Sequence, residues 1–284
     1  MPSAAPHRHD CEPALVPIRR RAFAFDMDGV VYRGPELIPG AAEAVAAVQH
    51  LGLPTLFITN NSRQNPVELA AKLQGLGIDA GPESIVSAVV ATVSYLRAHH
   101  PAPCRVLVLG GESLATQIAD AGYEMATWDG DDVPEVVVVG VDFGLTYDRL
   151  RRATRAIMLD GAEYLAVNTD PQYPTPSGPI PGAGAMTAAV AAVTGRPPVI
   201  VGKPSAHMFR VIMERAGVDA ADLVVLGDML TADIAGARAV GAESVLVLTG
   251  TTSATEAAAA PADQRPDHVI ESLYDLPLPA LVGM

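Results

Sequence analysis

The run Phe23-Ala24-Phe25-Asp26-Met27-Asp28-Gly29-Val30 sets the reading of the whole chain. Its apolar opening has the length and composition of a strand buried on both faces, as in a parallel sheet covered by helices on either side. A strand is therefore predicted over Ala22–Asp26, with one carboxylate at its end and a second two residues later. Gly29 lets the backbone turn sharply there. Two carboxylates held so close repel, and either a divalent cation or protonation of one of them relieves the repulsion. An isolated Asp-Gly also serves simply as a turn, so the other strand ends must decide between these readings.

Outward from this run, short segments rich in Val, Leu, Ile and Phe alternate with Ala-rich stretches of helical spacing, the pattern of βαβ units and a mostly parallel sheet. Further strands are predicted at 55–59, 106–109, 136–141, 164–168, 199–201, 223–226 and 244–248. Helices are predicted over 40–50, stopped by Gly52, and from Pro66, where proline suits the first turn. Residues 1–18 lack periodicity and read as a flexible N-terminal tail. The proline-rich segments 101–103 and 171–181, the latter with five prolines and one glycine, read as crossings between domains. Residues 101–180 would then form an α/β insert, and 19–100 with 181–284 a discontinuous main domain. A ligand is expected in the cleft between them, at the carboxyl ends of parallel strands.

Each of three more strands runs into polar residues. The second ends in Thr59-Asn60-Asn61-Ser62, whose short side chains and backbone N–H groups suit phosphate oxygens, although Ser62 or Asn65 could equally cap the next helix. Val201-Gly202-Lys203-Pro204-Ser205 places a point positive charge at a sheet edge, where a lone lysine is usually just solvated. Leu226-Gly227-Asp228 adds a carboxylate that could complete a cation site with the first pair, and Asp233 follows where it could also serve a helix dipole. Each signal alone is weak, but four strands each ending in a group that phosphoryl transfer requires form a specific set.

That ordered set resembles the haloacid dehalogenase superfamily, whose phosphatases carry DxDG, then Thr or Ser, then Lys, then GDxxxxD. Here these are Asp26-Met27-Asp28-Gly29, Thr59, Lys203, and Gly227-Asp228 with Asp233. The strings FDMDGV, FITNNSR, VGKPS and GDMLTADI resemble the subclass with a large α/β cap, which contains NagD-like, p-nitrophenyl phosphatase-like and pyridoxal phosphate phosphatase-like proteins. The resemblance covers roughly residues 20–275 and implies a Rossmann-like parallel-sheet core carrying an inserted α/β cap domain. Two departures stand out: Ala232 where the family often has Thr, and Asn65 where relatives commonly have Ser or Thr. Neither is expected to do chemistry.

The resemblance implies a magnesium-dependent phosphomonoesterase with Asp26 as nucleophile and an aspartyl-phosphate intermediate. It implies that the Asp26 side chain, the Asp28 main-chain carbonyl and Asp228 hold Mg2+, while the Asp28 side chain acts as general acid and base. Thr59, the Asn60 and Asn61 amides and Lys203 would gather the phosphate oxygens, with Gly29 and Asp233 in support. Asn168, Asp170 and Tyr173, on the stiff proline-rich segment of the insert, are candidate substrate contacts. The substrate would be a small phosphorylated metabolite such as phosphoglycolate, glycerol phosphate, a sugar phosphate, a nucleotide or pyridoxal phosphate. A non-catalytic phosphometabolite-binding protein and a phosphotransferase are the alternatives on the same fold. The family's dehalogenases lack the second Asp, and a receiver domain has a different motif order.

The chain's 284 residues carry 19 Lys plus Arg against 32 Asp plus Glu, a net charge of −13, which argues against nucleic acid or an anionic membrane as partner. No apolar run approaches the roughly 20 residues a membrane helix needs. Arg19-Arg20-Arg21 imitates a twin-arginine signal, but Asp26 and Asp28 follow too soon to leave an apolar region. Cys11 and Cys104 suggest neither a disulfide framework nor a zinc cluster, so the expected compartment is the cytoplasm. Capped relatives often pair through their caps, which implies a homodimer.

Overall fold

A computed structural model describes residues 21–173, 175 and 178–284. The predicted tail, residues 1–18, lies outside them. Two parallel sheets organise the chain. The first has six strands in the spatial order His268–Ile270, Glu243–Val247, Leu223–Gly227, Ala22–Asp26, Thr55–Thr59 and Ile85–Ser87. The second has five, in the order Val199–Ile200, Glu163–Ala166, Val136–Val139, Arg105–Leu109 and Glu124–Met125.

The central strand explains the layering. Its side chains alternate between faces, so Phe23 and Phe25 point to one side and Ala22 and Ala24 to the other. On the phenylalanine side the helices Ala41–His50 and Pro66–Gly75 bring Val45, Val48, Leu69 and Leu73 into one buried cluster with Phe57 and Leu226. On the alanine side the missing bulk is supplied from the helix Ala206–Ala216, whose Met208, Phe209 and Ile212 pack there with Leu56, Ile58 and Val225. The second sheet is covered in the same way, with Val106, Val108 and Val138 on one face and Leu107, Leu109 and Val139 on the other. No helix among the described residues is long and apolar enough to cross a membrane.

The structure moves the end of the insert. The helix Ala183–Thr194 buries Val190 among residues of the second sheet, and Val199–Ile200 pairs with Leu165 and Ala166. The second sheet's material therefore runs to residue 200, beyond the predicted boundary at 180. The proline-rich pattern misled because Gln172–Tyr173 pairs antiparallel with Ile180–Pro181 in a hairpin, and a two-stranded edge tolerates a residue such as Pro181 without an N–H. The helix Ala88–His99 is likewise shared, burying Ala91 with the first sheet and Ala88, Val89 and Leu96 with the second.

Asn65 settles one ambiguity. Its Oδ1 accepts from the Glu68 N–H at 2.9 Å while the Glu68 carboxylate accepts from the Asn65 N–H at 2.8 Å, with Pro66 at the first helical position. The departure from Ser or Thr is thus a working N-cap. Asn65→Ala is expected to lower stability by about 1 kcal/mol, read as a shift in the denaturant midpoint, because Ala cannot accept that N–H.

Candidate active site

The first-sheet strands are parallel and adjacent, so their carboxyl ends share one edge, and Asp26, Thr59 and Asp228 arrive there from three neighbours. Lys203 enters from the segment leaving the second sheet. Its Nζ lies 2.5 Å from Asp26 Oδ1 and 2.6 Å from Asp233 Oδ1, and all three side chains are buried. Asp233 sits in a single π-helical turn, Leu230–Ile234, where the N–H groups of both Asp233 and Ile234 donate to Met229 O. Its other oxygen accepts from the Met229 N–H at 3.1 Å. It therefore holds Lys203 from inside a tightly wound loop rather than serving a helix dipole.

Charge in this pocket is unbalanced. A carboxylate oxygen from each of Asp26, Asp228 and Asp233 lies within 4.8 Å of the others, against a single ammonium. Burial pushes the Asp26 carboxyl well above its ordinary range; Lys203 opposes this while Asp233 and Asp228 add to it. Burial alone would lower Lys203, but Asp233 and Asp26 outweigh it and the lysine stays charged. Asp228 is also raised, by burial and then by Asp233. Its Oδ2 accepts from the Thr251 N–H at 2.6 Å, whereas its Oδ1 is buried without a hydrogen-bond partner among the described residues. An orphaned, buried carboxylate oxygen beside two other carboxylates is the donor set a hard divalent cation takes. Both Asp233 oxygens are already engaged, so Asp26 and Asp228 are the freer ligands.

The surroundings of Asp228 are shaped by glycine. A Cβ on Gly29, whose φ is +92°, would lie 2.6 Å from Asp228 Oδ2, and one on Gly250 would lie 1.9 Å from it. Gly29 was legible in the sequence, whereas the 249–251 loop, which carries no strand or helix pattern, was not.

Asp28 stands apart from the acidic cluster. Asp28 is exposed, with Oδ2 accepting from the Tyr32 hydroxyl at 3.3 Å. The protein atoms around it partly exclude water and raise its pKa, with Lys72 and Tyr32 pulling the other way. The converging side chains are Asp26, Asp228 and Asp233, which include Asp26 and Asp228, the two side-chain ligands of the expected set whose third member is the Asp28 main-chain carbonyl.

The Thr59–Asn61 segment is more occupied than expected. Thr59 Oγ1 accepts from the Asn61 N–H at 3.1 Å, and Asn61 Oδ1 accepts from the N–H groups of Arg63 and Gln64. The Asn60 amide joins the two sheets: its Nδ2 donates to Asp170 Oδ2 at 3.0 Å and to Lys203 O at 3.2 Å, while its Oδ1 accepts from the Lys203 N–H at 2.9 Å. Asn168 Nδ2 donates to Asn60 O at 2.7 Å. Asn168 and Asp170 therefore meet the Thr59–Asn61 segment directly. Tyr173 instead stacks edge-on with Phe143, and the Arg63 guanidinium lies 4.4 Å from the Phe143 ring centre and 5.4 Å from that of Tyr173.

With this geometry in hand, sequence and structural comparisons find consistent relatives. A family profile described as haloacid dehalogenase-like hydrolase matches residues 23–124, and a second, described as HAD-hydrolase-like, matches residues 200–276. An acid sugar phosphatase of Staphylococcus epidermidis is 34% identical over 82% of this chain and 88% of its own length. Chronophin of Rattus norvegicus is 38% identical over 89% of this chain and 85% of its own. The solved structure of a glycerol phosphate phosphatase from Mycobacterium tuberculosis in complex with magnesium superposes with a TM-score of 0.83 at 34% identity, covering 90% of this chain and 76% of that one.

The charge imbalance predicts a divergence between stability and cation binding. In chelator, Asp228→Asn is expected to melt above the wild type, because one of three buried, mutually repelling carboxylates is gone. A saturating divalent cation should stabilise the wild type, by about 2.7 kcal/mol at a hundred times Kd, and so raise its melting temperature, while leaving the variant nearly unmoved.

Proposed function

The chain belongs to the haloacid dehalogenase-like hydrolases, and on that premise we propose that it is a magnesium-dependent phosphomonoesterase acting on a small phosphorylated metabolite. The observation that carries this reading is the Lys203 ammonium, buried against Asp26 at a strand end where Asp228 leaves an oxygen unpartnered. A phosphoryl group brought to that edge would meet a nucleophile, a cation site and a fixed positive charge together.

Asp26, Asp228 and the main-chain carbonyl of Asp28 would hold the Mg2+. When bound, it offsets the repulsion between the Asp26 carboxylate and the phosphate dianion. The solved relative described with magnesium supports that choice of cation. Lys203 fixes Asp26 Oδ1, leaving the other oxygen to attack phosphorus. As the new Asp26–phosphorus bond forms, the ester P–O bond breaks and its electron pair stays on the leaving oxygen, which takes the Asp28 proton and departs as an alcohol. A water then gives a proton to Asp28 and attacks phosphorus, the Asp26–phosphorus bond breaks, and inorganic phosphate leaves with both aspartates restored. Thr59, the Asn60 and Asn61 segment and Lys203 serve the phosphoryl oxygens.

The second sheet and its helices would act as the cap, closing over the edge and selecting the leaving group. Asn168, Asp170 and Tyr173 are the cap's candidate contacts, supported by the bonds of Asn168 and Asp170 to Asn60. Relatives named for acid sugar phosphatase and glycerol phosphate phosphatase activity favour phosphorylated sugars and polyols. The net charge of −13 supports a protein that takes neither nucleic acid nor an anionic membrane as partner, its two widely spaced cysteines suit the cytoplasm, and pairing through the cap would give a homodimer.

Phosphate release from a panel holding p-nitrophenyl phosphate, glycerol phosphate, a sugar phosphate, phosphoglycolate, a nucleotide and pyridoxal phosphate tests the reading. Release should require magnesium and fall about a thousandfold or more in Asp26→Asn. Binding of phosphate esters without turnover of any of them would instead make the chain a phosphometabolite-binding protein.

A further inference from the structure

We propose that Tyr32 is a positioning residue that aims the carboxyl group of Asp28 at the leaving oxygen. This rests on the phosphomonoesterase reading and deepens it. Tyr32 is 0% exposed, packed in the same apolar cluster as Met27, Val30 and Val31, yet its phenol ends at Asp28 Oδ2, 3.3 Å away. A buried tyrosine needs a partner for its hydroxyl, and here that partner is the side chain assigned as acid and base. Among the described residues this is the one hydrogen bond to the Asp28 carboxyl, on a residue that is otherwise exposed.

The backbone makes the pairing rigid. The Tyr32 N–H donates to Met27 O at 3.0 Å and the Gly29 N–H donates to Tyr32 O at 2.9 Å, so the turn that follows Asp28 is closed by main-chain bonds from both ends. Tyr32 then opens a short hairpin, Tyr32–Arg33 with Glu36–Leu37. The Arg33 guanidinium reaches Thr249 O and the Thr249 hydroxyl donates to Gly29 O at 2.7 Å, tying the hairpin to the loop that serves Asp228. The Lys72 ammonium lies 3.3 Å from the Tyr32 ring centre and holds the aromatic face from the helix Pro66–Gly75. Turn, hairpin and helix thus converge on a phenol whose direction is fixed.

A solvent-facing aspartate on its own samples several rotamers. Proton donation needs one of them, since misplacement by about 1 Å can cost about a hundredfold in rate. The Tyr32 hydroxyl takes Oδ2 and leaves Oδ1 to carry the proton that passes to the leaving oxygen as the P–O bond breaks. The demand for that proton depends on the leaving group: p-nitrophenolate departs with little help, phenolate needs more, and an alkoxide needs most. Tyr32 should therefore matter in proportion to leaving-group basicity.

The test measures kcat/KM, which reports steps up to the first irreversible one, for p-nitrophenyl phosphate, phenyl phosphate and the best alkyl phosphate of the panel. Tyr32→Phe keeps the ring and its packing. It should cost about tenfold or more with the alkyl ester, less with phenyl phosphate and no more than about twofold with p-nitrophenyl phosphate. In an Asp28→Asn background the same change should cost nothing further. Arg33→Met, at an exposed position whose guanidinium ties the hairpin to Thr249 O, should repeat the graded pattern in weaker form and carries the test if Tyr32→Phe does not fold. Equal losses across the three esters, no loss, or a loss that adds to that of Asp28→Asn would overturn the assignment. A wild type inactive on all three would remove the phosphatase reading itself, a different failure from the first.

Discussion

One buried ammonium organises this protein. Lys203 meets Asp26 from the central strand and Asp233 from a π-helical turn 30 residues further on, with none of the three reaching bulk water. Buried ion pairs of this kind return little net stability, because desolvation consumes most of the Coulomb gain. Their value lies in placement. Two carboxylates at different ends of the chain are drawn to one point, and the lysine that draws them leaves the second sheet at the place where the chain rejoins the first. The site is therefore also the junction of the two sheets.

That junction explains what could be read from residue order. Strands at Ala22–Asp26 and Thr55–Thr59 were legible to the residue, because a buried apolar run ending in a polar group has two sharp edges. Ile85–Ser87 and His268–Ile270 were not, since three residues carry no period. The end of the insert was misplaced because proline marks any break in regular hydrogen bonding, and a hairpin is such a break as much as a domain crossing. Within the site, Asp26, Lys203, Asp228 and Asp233 were legible through motif order; parallel topology brings Asp26 and Asp228 to one edge, while the reach of Lys203 to Asp26 and Asp233 was not legible. Tyr32 was hidden because after Val30 and Val31 it reads as one more apolar residue. The 249–251 loop was hidden because its contribution is a backbone N–H and a missing Cβ, neither of which a residue type announces.

Asn60 shows why one residue type in a motif can be read too simply. Beside Thr59 it looks like a phosphate ligand, yet its side chain is spent on Asp170 and on both main-chain groups of Lys203, and its carbonyl on Asn168. An amide can do this because it donates and accepts at once, which neither serine nor aspartate matches at both ends. Each such bond is worth about 1 kcal/mol net, so the cluster is enough to prefer one seating of the insert and too little to lock it.

The same arithmetic bears on the acidic pocket. Three carboxylates facing one ammonium leave the folded chain with an electrostatic deficit that a divalent cation would remove, and the orphaned Asp228 oxygen is where the deficit is exposed. A chain selected for stability alone would have replaced one of these acids by an amide or an apolar residue. Their presence together at the sheet edge where a buried lysine and the short polar side chains of 59–62 also gather is a local conflict with folding. Such conflicts persist where chemistry requires them, which is why the least comfortable point in the fold is the one the phosphatase proposal builds on.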